Sequence, residues 1–415
     1  MTDDIRPLPA SGTILRHRLP RFSSFYVKNF RWFYVSQLFL FFGSWMHQTA
    51  QAWLVYSLTG SPLYLGLLGA IMSLPMLLLT LAGGLMADRF KKRDIIIASQ
   101  LLSIIPVCIL AFLTKSGNIQ IWQISVLAFL CGCFEAIDAP SRQTFMYQIV
   151  GKKHILNAIA VSSTAFNIAR IIAPLVSGFI IKEYGVAPCF YIRAICFLPS
   201  VFVLQKIIIS VELNDFESNG IKADFIDCIK FIKQDKVILG LILTVTAISL
   251  FCLPFAQFLP IFADRVFHMG SKALGYLMTS IGIGALIASL IIASAREIFN
   301  KRVYMTISGL LFPLTIIVFT LTTNIIAAVC LLVCTGAFTL CMMALTNSFI
   351  QIRVADAIRG RVMSVYIMMV LGIMPIGYLL MGYMSDILGT KNAIMINCSL
   401  CMVSFIGLRV LWRKG

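Results

Sequence analysis

Gly84-Leu85-Met86-Ala87-Asp88-Arg89-Phe90-Lys91-Lys92-Arg93 is a short charged turn between two long apolar runs, residues 62–86 and 94–114. Each flanking run matches the roughly 20 helical residues that cross a hydrocarbon core of about 30 Å. A turn holding five charges cannot stay in that core, so the chain leaves the membrane here and re-enters it. The same alternation continues in both directions. Candidate spans cover about 31–57, 62–86, 94–114, 120–149, 155–181, 188–208, 237–263, 273–295, 303–322, 324–350, 361–386 and 392–411. Of the 415 residues 59% are hydrophobic and 12% charged, about half of the ~25% charge of soluble domains. The expected fold class is an all-α membrane protein with twelve transmembrane helices. A soluble enzyme, a nucleic-acid binder and a disulfide scaffold are excluded as classes.

The net charge of +17 comes from 34 Lys and Arg against 17 Asp and Glu. On a soluble chain this would suggest nucleic acid, but here its distribution decides the meaning. If the basic tail of residues 1–30 is cytoplasmic, 27 of the basic residues fall in cytoplasmic segments. Six fall outside (Lys115, Lys182, Arg193, Arg265, Lys272 and Lys391), and Arg170 is left within a span. That asymmetry sets the topology, with both termini in the cytoplasm, and needs no anionic partner. No apolar signal segment precedes the first span.

The longest hydrophilic stretch, 209–236, divides the chain into an N-terminal six-helix bundle, 31–208, and a C-terminal one, 237–415. Within it Ile221, Phe225, Ile226, Ile229 and Ile232 recur at helical spacing opposite Lys222, Asp224, Asp227, Lys230 and Lys233, which predicts an amphipathic interfacial helix. The halves look like parallel repeats. An offset of 209 residues carries Leu65-Gly66 onto Leu274-Gly275, Asp88 onto Glu297, Lys92 onto Lys301 and Arg93 onto Arg302. An offset of 204 carries Phe145, Gly178 and Gly185 onto Phe349, Gly382 and Gly389. Such repeats about an axis along the membrane normal build one class of transporter.

The opening turn resembles the signature loop of the major facilitator superfamily, Gly-x-x-x-Asp-Arg/Lys-x-Gly followed by basic residues. Gly84, Asp88, Arg89, Lys92 and Arg93 match it, and Lys91 replaces the second glycine. The resemblance implies a cytoplasmic gate in which this loop clasps span 11, where Arg359-Gly360-Arg361 could meet Asp88. Glu297, Lys301 and Arg302 are its counterpart in the second half. Pro174 and Gly178 look like a degenerate exporter motif. Asp138-Ala-Pro140-Ser-Arg142, Asn157-Ala158 and Arg170 resemble the branch holding bacterial siderophore exporters of the enterobactin type and macrolide-efflux proteins.

Ionisable groups at membrane depth are expensive and mark function by default. An antiparallel turn near Gly151 and Lys152 sets Glu135 opposite Arg170, with Asp138 a turn nearer the cytoplasm beside Asn167. The pair is either a static lock or a proton-operated switch. Gln37, Ser44, Gln48 and Gln51 form a stripe down span 1, with His47 beside it, and either glue helices together or line a cavity. Gln257, Asn347 and Tyr366 are the corresponding cavity candidates in the second half. No phosphate-cradling loop, metal-ligand spacing or nucleophile–base set occurs, so neither a cofactor nor a metal is implied. The expectation is a monomeric secondary transporter of the bacterial inner membrane. It exports a small amphipathic molecule such as a siderophore or drug, with protons as coupling ion and lipid around it. The alternatives are a lipid or lysophospholipid flippase and, in a different class, a non-transporting membrane sensor or scaffold.

Overall fold

The computed structural model describes residues 23–207, 221–294 and 301–413, and these are almost entirely helical. After a short 3-10 turn at Ser23–Tyr26 come α1 (Lys28–Thr59), α2 (Pro62–Arg89) and α3 (Lys92–Ser116). Next are α4 (Ile121–Gly151), α5 (Lys153–Tyr184) and α6 (Ala187–Gln205). The amphipathic α7 (Ile221–Gln234) precedes α8 (Lys236–Phe251), α9 (Gly270–Ser294), α10 (Lys301–Leu321) and α11 (Ile325–Arg353). The chain closes with α12 (Asp356–Leu371), α13 (Met374–Leu388) and α14 (Thr390–Arg413). Eleven segments among the described residues are long and apolar enough to cross a membrane. The 32-residue α1 is not among them, because its glutamines, His47 and basic start dilute its apolar content.

Two expected spans are broken. The run 237–263 is α8, then a 3-10 segment at Leu253–Phe258, then a helical turn at Leu259–Arg265. Pro254 and Pro260 lack the N–H groups that a continuous helix would use. The run 361–386 divides between α12 and α13 just before Pro375, for the same reason. The amphipathic helix forms at Ile221–Gln234, but it docks on protein: Cys228 and Ile232 are buried in the core, with Lys230 and Lys233 exposed.

Glycines set the closest helix approaches, and they come in matched sets. A Cβ on Gly132 of α4 would meet the Met72 carbonyl oxygen of α2 at 2.9 Å. A Cβ on Gly336 of α11 would collide with the Ile281 carbonyl oxygen of α9. Met72 and Ile281 differ by 209 residues and Gly132 and Gly336 by 204, the two offsets seen in the sequence. The same offsets relate two further contacts, Gly66 against Gly382 and Gly178 against Gly275. On Gly284 of α9 a Cβ would run into the Val333 carbonyl of α11, a backbone atom that cannot swing away. Gly284→Val is therefore expected to destabilise the fold by about 1–3 kcal/mol or more, read as a drop in the thermal unfolding midpoint of the detergent-solubilised protein.

At the start of α8, Asp235 accepts from the amides of Val237 (3.0 Å) and Ile238 (3.2 Å) and from Arg353 Nε (2.7 Å). Burial alone would raise its carboxyl pKa, but Arg353 and the two amides together hold it below the usual carboxylate value. A carboxyl with a depressed folded pKa lends stability above its unfolded pKa and loses it as pH falls through the folded value. Asp235→Ala is expected to cost about 1 kcal/mol near neutrality. Its stability gap to the parent should shrink in melts taken below about pH 4.

Candidate functional site

A cavity of about 940 Å³ is lined by residues of α1 to α6 and of α11. Its polar wall comes from α4, where Glu135, Asp138 and Arg142 follow one another along a single helical face. Arg193 enters from α6. Its Nη2 donates to Glu135 Oε1 at 2.7 Å and its Nη1 to Ser44 Oγ of α1 at 2.7 Å. One guanidinium thereby ties three helices. Arg142 grips Asp138 with two bonds, Nε to Oδ2 at 2.8 Å and Nη2 to Oδ1 at 2.9 Å. Both arginines are buried, with side chains 3% and 8% exposed, while Glu135 is 54% open to the cavity. Burying a guanidinium costs several kcal/mol unless it is paired, and each one here is.

Aromatic side chains line it as well. Phe41 and Phe166 line the cavity with rings edge to face at 5.3 Å, and Trp45 backs Phe166 at 5.6 Å. Gln37 accepts from Ser162 at 2.8 Å, and Gln351 donates to Asn347 across the lining of α11. At the other end of the bundle the parts of the chain before and after α7 are in close contact. Tyr56 donates to Asp264 at 2.8 Å, Arg265 to the Gly60 carbonyl at 2.8 Å and Ser271 to the Gly178 carbonyl at 3.0 Å. Gly66 against Gly382 and Gly178 against Gly275 lie in the same layer.

Of the sequence-derived site residues, the structure brings Gln37, Ser44, Glu135, Asp138 and Asn347 to the cavity. Several pairings differ from expectation. Glu135 pairs with Arg193, not Arg170. Ser162 reaches Met146 across the α4–α5 hairpin, which sets Glu135 level with Ala173 and leaves Arg170 about a turn away. Arg170 instead stacks over Trp45 at 5.5 Å, outside the cavity lining. Asp138 meets Arg142 rather than Asn167, whose amide donates to the Ser163 carbonyl of its own helix. Gln48, Gln51, His47, Gln257 and Tyr366 do not line the cavity. His47 and Gln51 point into the packed interior, His47 against Phe190, and Tyr366 donates to the Met343 carbonyl of α11.

The charge distribution assigns Arg193 to an external segment, although it falls five positions inside the apolar run that begins at 188. That placement was the signal that could have found it. Of the gate motif, the side chains of Gly84, Asp88 and Arg89 lie outside those described, as does Glu297, so the expected contact of Asp88 with Arg361 does too. Lys92 opens α3, and Arg93 donates to the Ile207 carbonyl at 3.2 Å. Arg359 donates to the Val354 carbonyl at 3.3 Å, Lys301 opens α10, and Arg302 lies over Phe349 at 5.9 Å. Among the described residues no cluster of three metal-ligating side chains occurs.

Residues 20–414 match the family model described as transmembrane secretion effector, a branch of the major facilitator superfamily. The chain is similar to the staphyloferrin A transporter of Staphylococcus aureus, 27% identical with 86% of this chain and 90% of the relative covered. It is also similar to the multidrug efflux pump Tap of Mycolicibacterium fortuitum, 24% identical over 81% of this chain and 84% of that protein. The fold resembles that of the nucleoside transporter NupG, with a TM-score of 0.74 at 14% identity, covering 93% of this chain and 99% of that one.

Proposed function

The chain belongs to the transmembrane secretion effector family of major facilitator transporters, and on that footing we propose that it exports a small amphipathic molecule by alternating access. It is a multi-pass membrane transporter, not an enzyme. The observation that carries the reading is the cavity of about 940 Å³, open toward the basic turns and shut at the far end by glycine contacts. With that basic end cytoplasmic, as the distribution of Lys and Arg favours, the state is inward-facing and loads from the cell interior. Twelve spans then arise by adding α1 to the eleven apolar segments. Residues 31–208 and 237–415 form two parallel six-helix repeats joined by 209–236. The matched glycine contacts support that division, because the same offsets relate contacts within and between the halves.

The substrate reading draws on relatives that carry a siderophore and drugs, and on a cavity lined by both aromatic and charged side chains. Protons are the coupling ion in this account. Uptake by Glu135 or Asp138 loosens its arginine and so biases the helices that the arginine ties. The protein acts as a monomer in the bacterial inner membrane, both termini cytoplasmic. Gly84, Asp88, Arg89, Lys92, Arg93, Arg359 and Arg361 form the cytoplasmic gate in the outward-open state, with Glu297, Lys301 and Arg302 in the pseudo-equivalent place. A deletion strain and its complemented parent, compared for the small molecules each releases into the medium, test the assignment. Loss of one released metabolite, restored by the intact gene and not by Glu135→Gln, is the expected result. Identical release profiles would overturn it.

A further inference from the structure

The charges that line the cavity are balanced. Glu135 is paired with Arg193 and Asp138 with Arg142, so these four groups leave the lining neutral. Arg170, just past the lining, is different. It lies midway along α5, and among the described residues its guanidinium makes no hydrogen bond and no ion pair. Stacking over Trp45 at 5.5 Å engages the face of the guanidinium and none of its five N–H donors. The residue is partly buried, yet its nitrogens keep contact with open space. A permanent charge at that depth is expensive until something pairs with it.

The sequence of the lining shows which space this is. Ile159, Ser163 and Phe166 of α5 line the cavity at spacings of four and three, and the next position on their face is Arg170. On α1 Trp45 follows Phe41 of the lining by one turn and packs against Phe166 at 5.6 Å. α9 lies against the same point, since a Cβ on Gly282 would stand 3.2 Å from the Arg170 carbonyl oxygen. Arg170 therefore sits at the blind end of the cavity, on the seam between the parts of the chain before and after α7.

We propose that Arg170, Trp45 and Phe166 form the substrate-binding subsite at the blind end of the cavity, and that the substrate is an amphipathic organic anion. This rests on the transport reading above and names the substrate class for the same cavity. One acid group of the molecule takes the fork of Arg170, whose planar donors suit paired oxygens. The apolar body lies against Trp45, Phe166 and Phe41. The filled subsite is neutral, which lowers the cost of enclosing it as the two halves move. Arginine keeps its charge throughout, so this binding step takes up no proton. An anion leaving the cell and a proton entering it carry current in the same direction, down an inside-negative membrane potential. An anionic substrate is therefore compatible with proton-driven export.

The test compares two probes with one ring system, naphthalenesulfonate and the uncharged naphthalenesulfonamide. Each is measured by equilibrium dialysis against the full-length protein in lipid nanodiscs, with uptake by empty nanodiscs subtracted. The parent is expected to bind the sulfonate about 10- to 100-fold more tightly than the sulfonamide, the worth of a charge-assisted bond. Arg170→Gln should erase that preference while still binding the sulfonamide, which shows that the cavity is intact. Arg170→Lys keeps the charge without the planar fork and should retain part of the preference. Equal binding of the two probes by the parent would overturn the proposal, as would equal binding by Arg170→Lys or a sulfonate preference that survives Arg170→Gln. Tighter binding of naphthylmethylammonium than of either probe would overturn it in favour of a cation site. The export comparison above is scored separately. A missing sulfonate preference with export intact sinks only the anion subsite, and absent export sinks the transport reading itself.

Discussion

Gly66→Val and Gly178→Val are each expected to cut export about 5- to 150-fold while leaving the protein folded. The Cβ of either residue would press on backbone: on the Tyr378 carbonyl at 2.5 Å and Gly382 Cα at 2.8 Å for Gly66, on the Ser271 carbonyl at 2.6 Å for Gly178. Neither obstacle is the flexible end of a side chain. Overpacking of this kind costs about 1–3 kcal/mol. Here the cost falls on one conformation, because the contacts join parts of the chain that must separate when the far end opens. The variants should therefore rest with that end open. A cysteine at Ser162, which lines the cavity, should then react more slowly with a thiol reagent supplied from the basic end. Unchanged export with unchanged labelling would mean that this layer does not move.

The second large effect is an asymmetry within one ion pair. Glu135→Leu leaves Arg193 charged with only 3% of its side chain exposed, whereas Arg193→Leu leaves Glu135 with 54% exposed to the cavity. An uncompensated buried charge costs about 3–5 kcal/mol, and a charge that stays hydrated costs much less. Glu135→Leu should lower the unfolding midpoint several degrees more than Arg193→Leu. The double leucine variant should recover most of the loss while remaining inactive. Equal losses from the two single variants would show that the cavity is dry around Glu135.

Much of this architecture could be read from the chain. The described parts of the apolar runs are helical apart from the breaks in 237–263 and 361–386, because burying an unpaired backbone in lipid is too costly for any other outcome. The sequence offsets singled out Gly66, Gly178, Gly275 and Gly382, and these same four residues make close backbone approaches at the closed end. What could not be read was azimuth and register. Hydropathy places Glu135 at a depth but not on a side, and a shift of about one turn in the α4–α5 hairpin exchanged Arg170 for Arg193 as its neighbour. His47 and Gln51 illustrate the converse. A polar stripe marks the face that avoids lipid, and packing against Phe190 satisfies that as well as lining a cavity does. The breaks at Pro254 and Pro375 were visible as residues, but long apolar runs concealed their effect.

The account stands on the far end of the bundle opening and closing as substrate crosses. Ser61 and Asp386 meet across it, Oγ to Oδ1 at 3.3 Å. Ser61→Cys and Asp386→Cys can be joined by a short bifunctional thiol reagent, with the exposed Cys330 and Cys334 replaced by serine. Export measured in vesicles before bridging, after bridging and after reduction is the most direct test. The expected result is export that stops when the bridge forms and returns when it is cut. Export continuing at the unbridged rate with the bridge intact would contradict it.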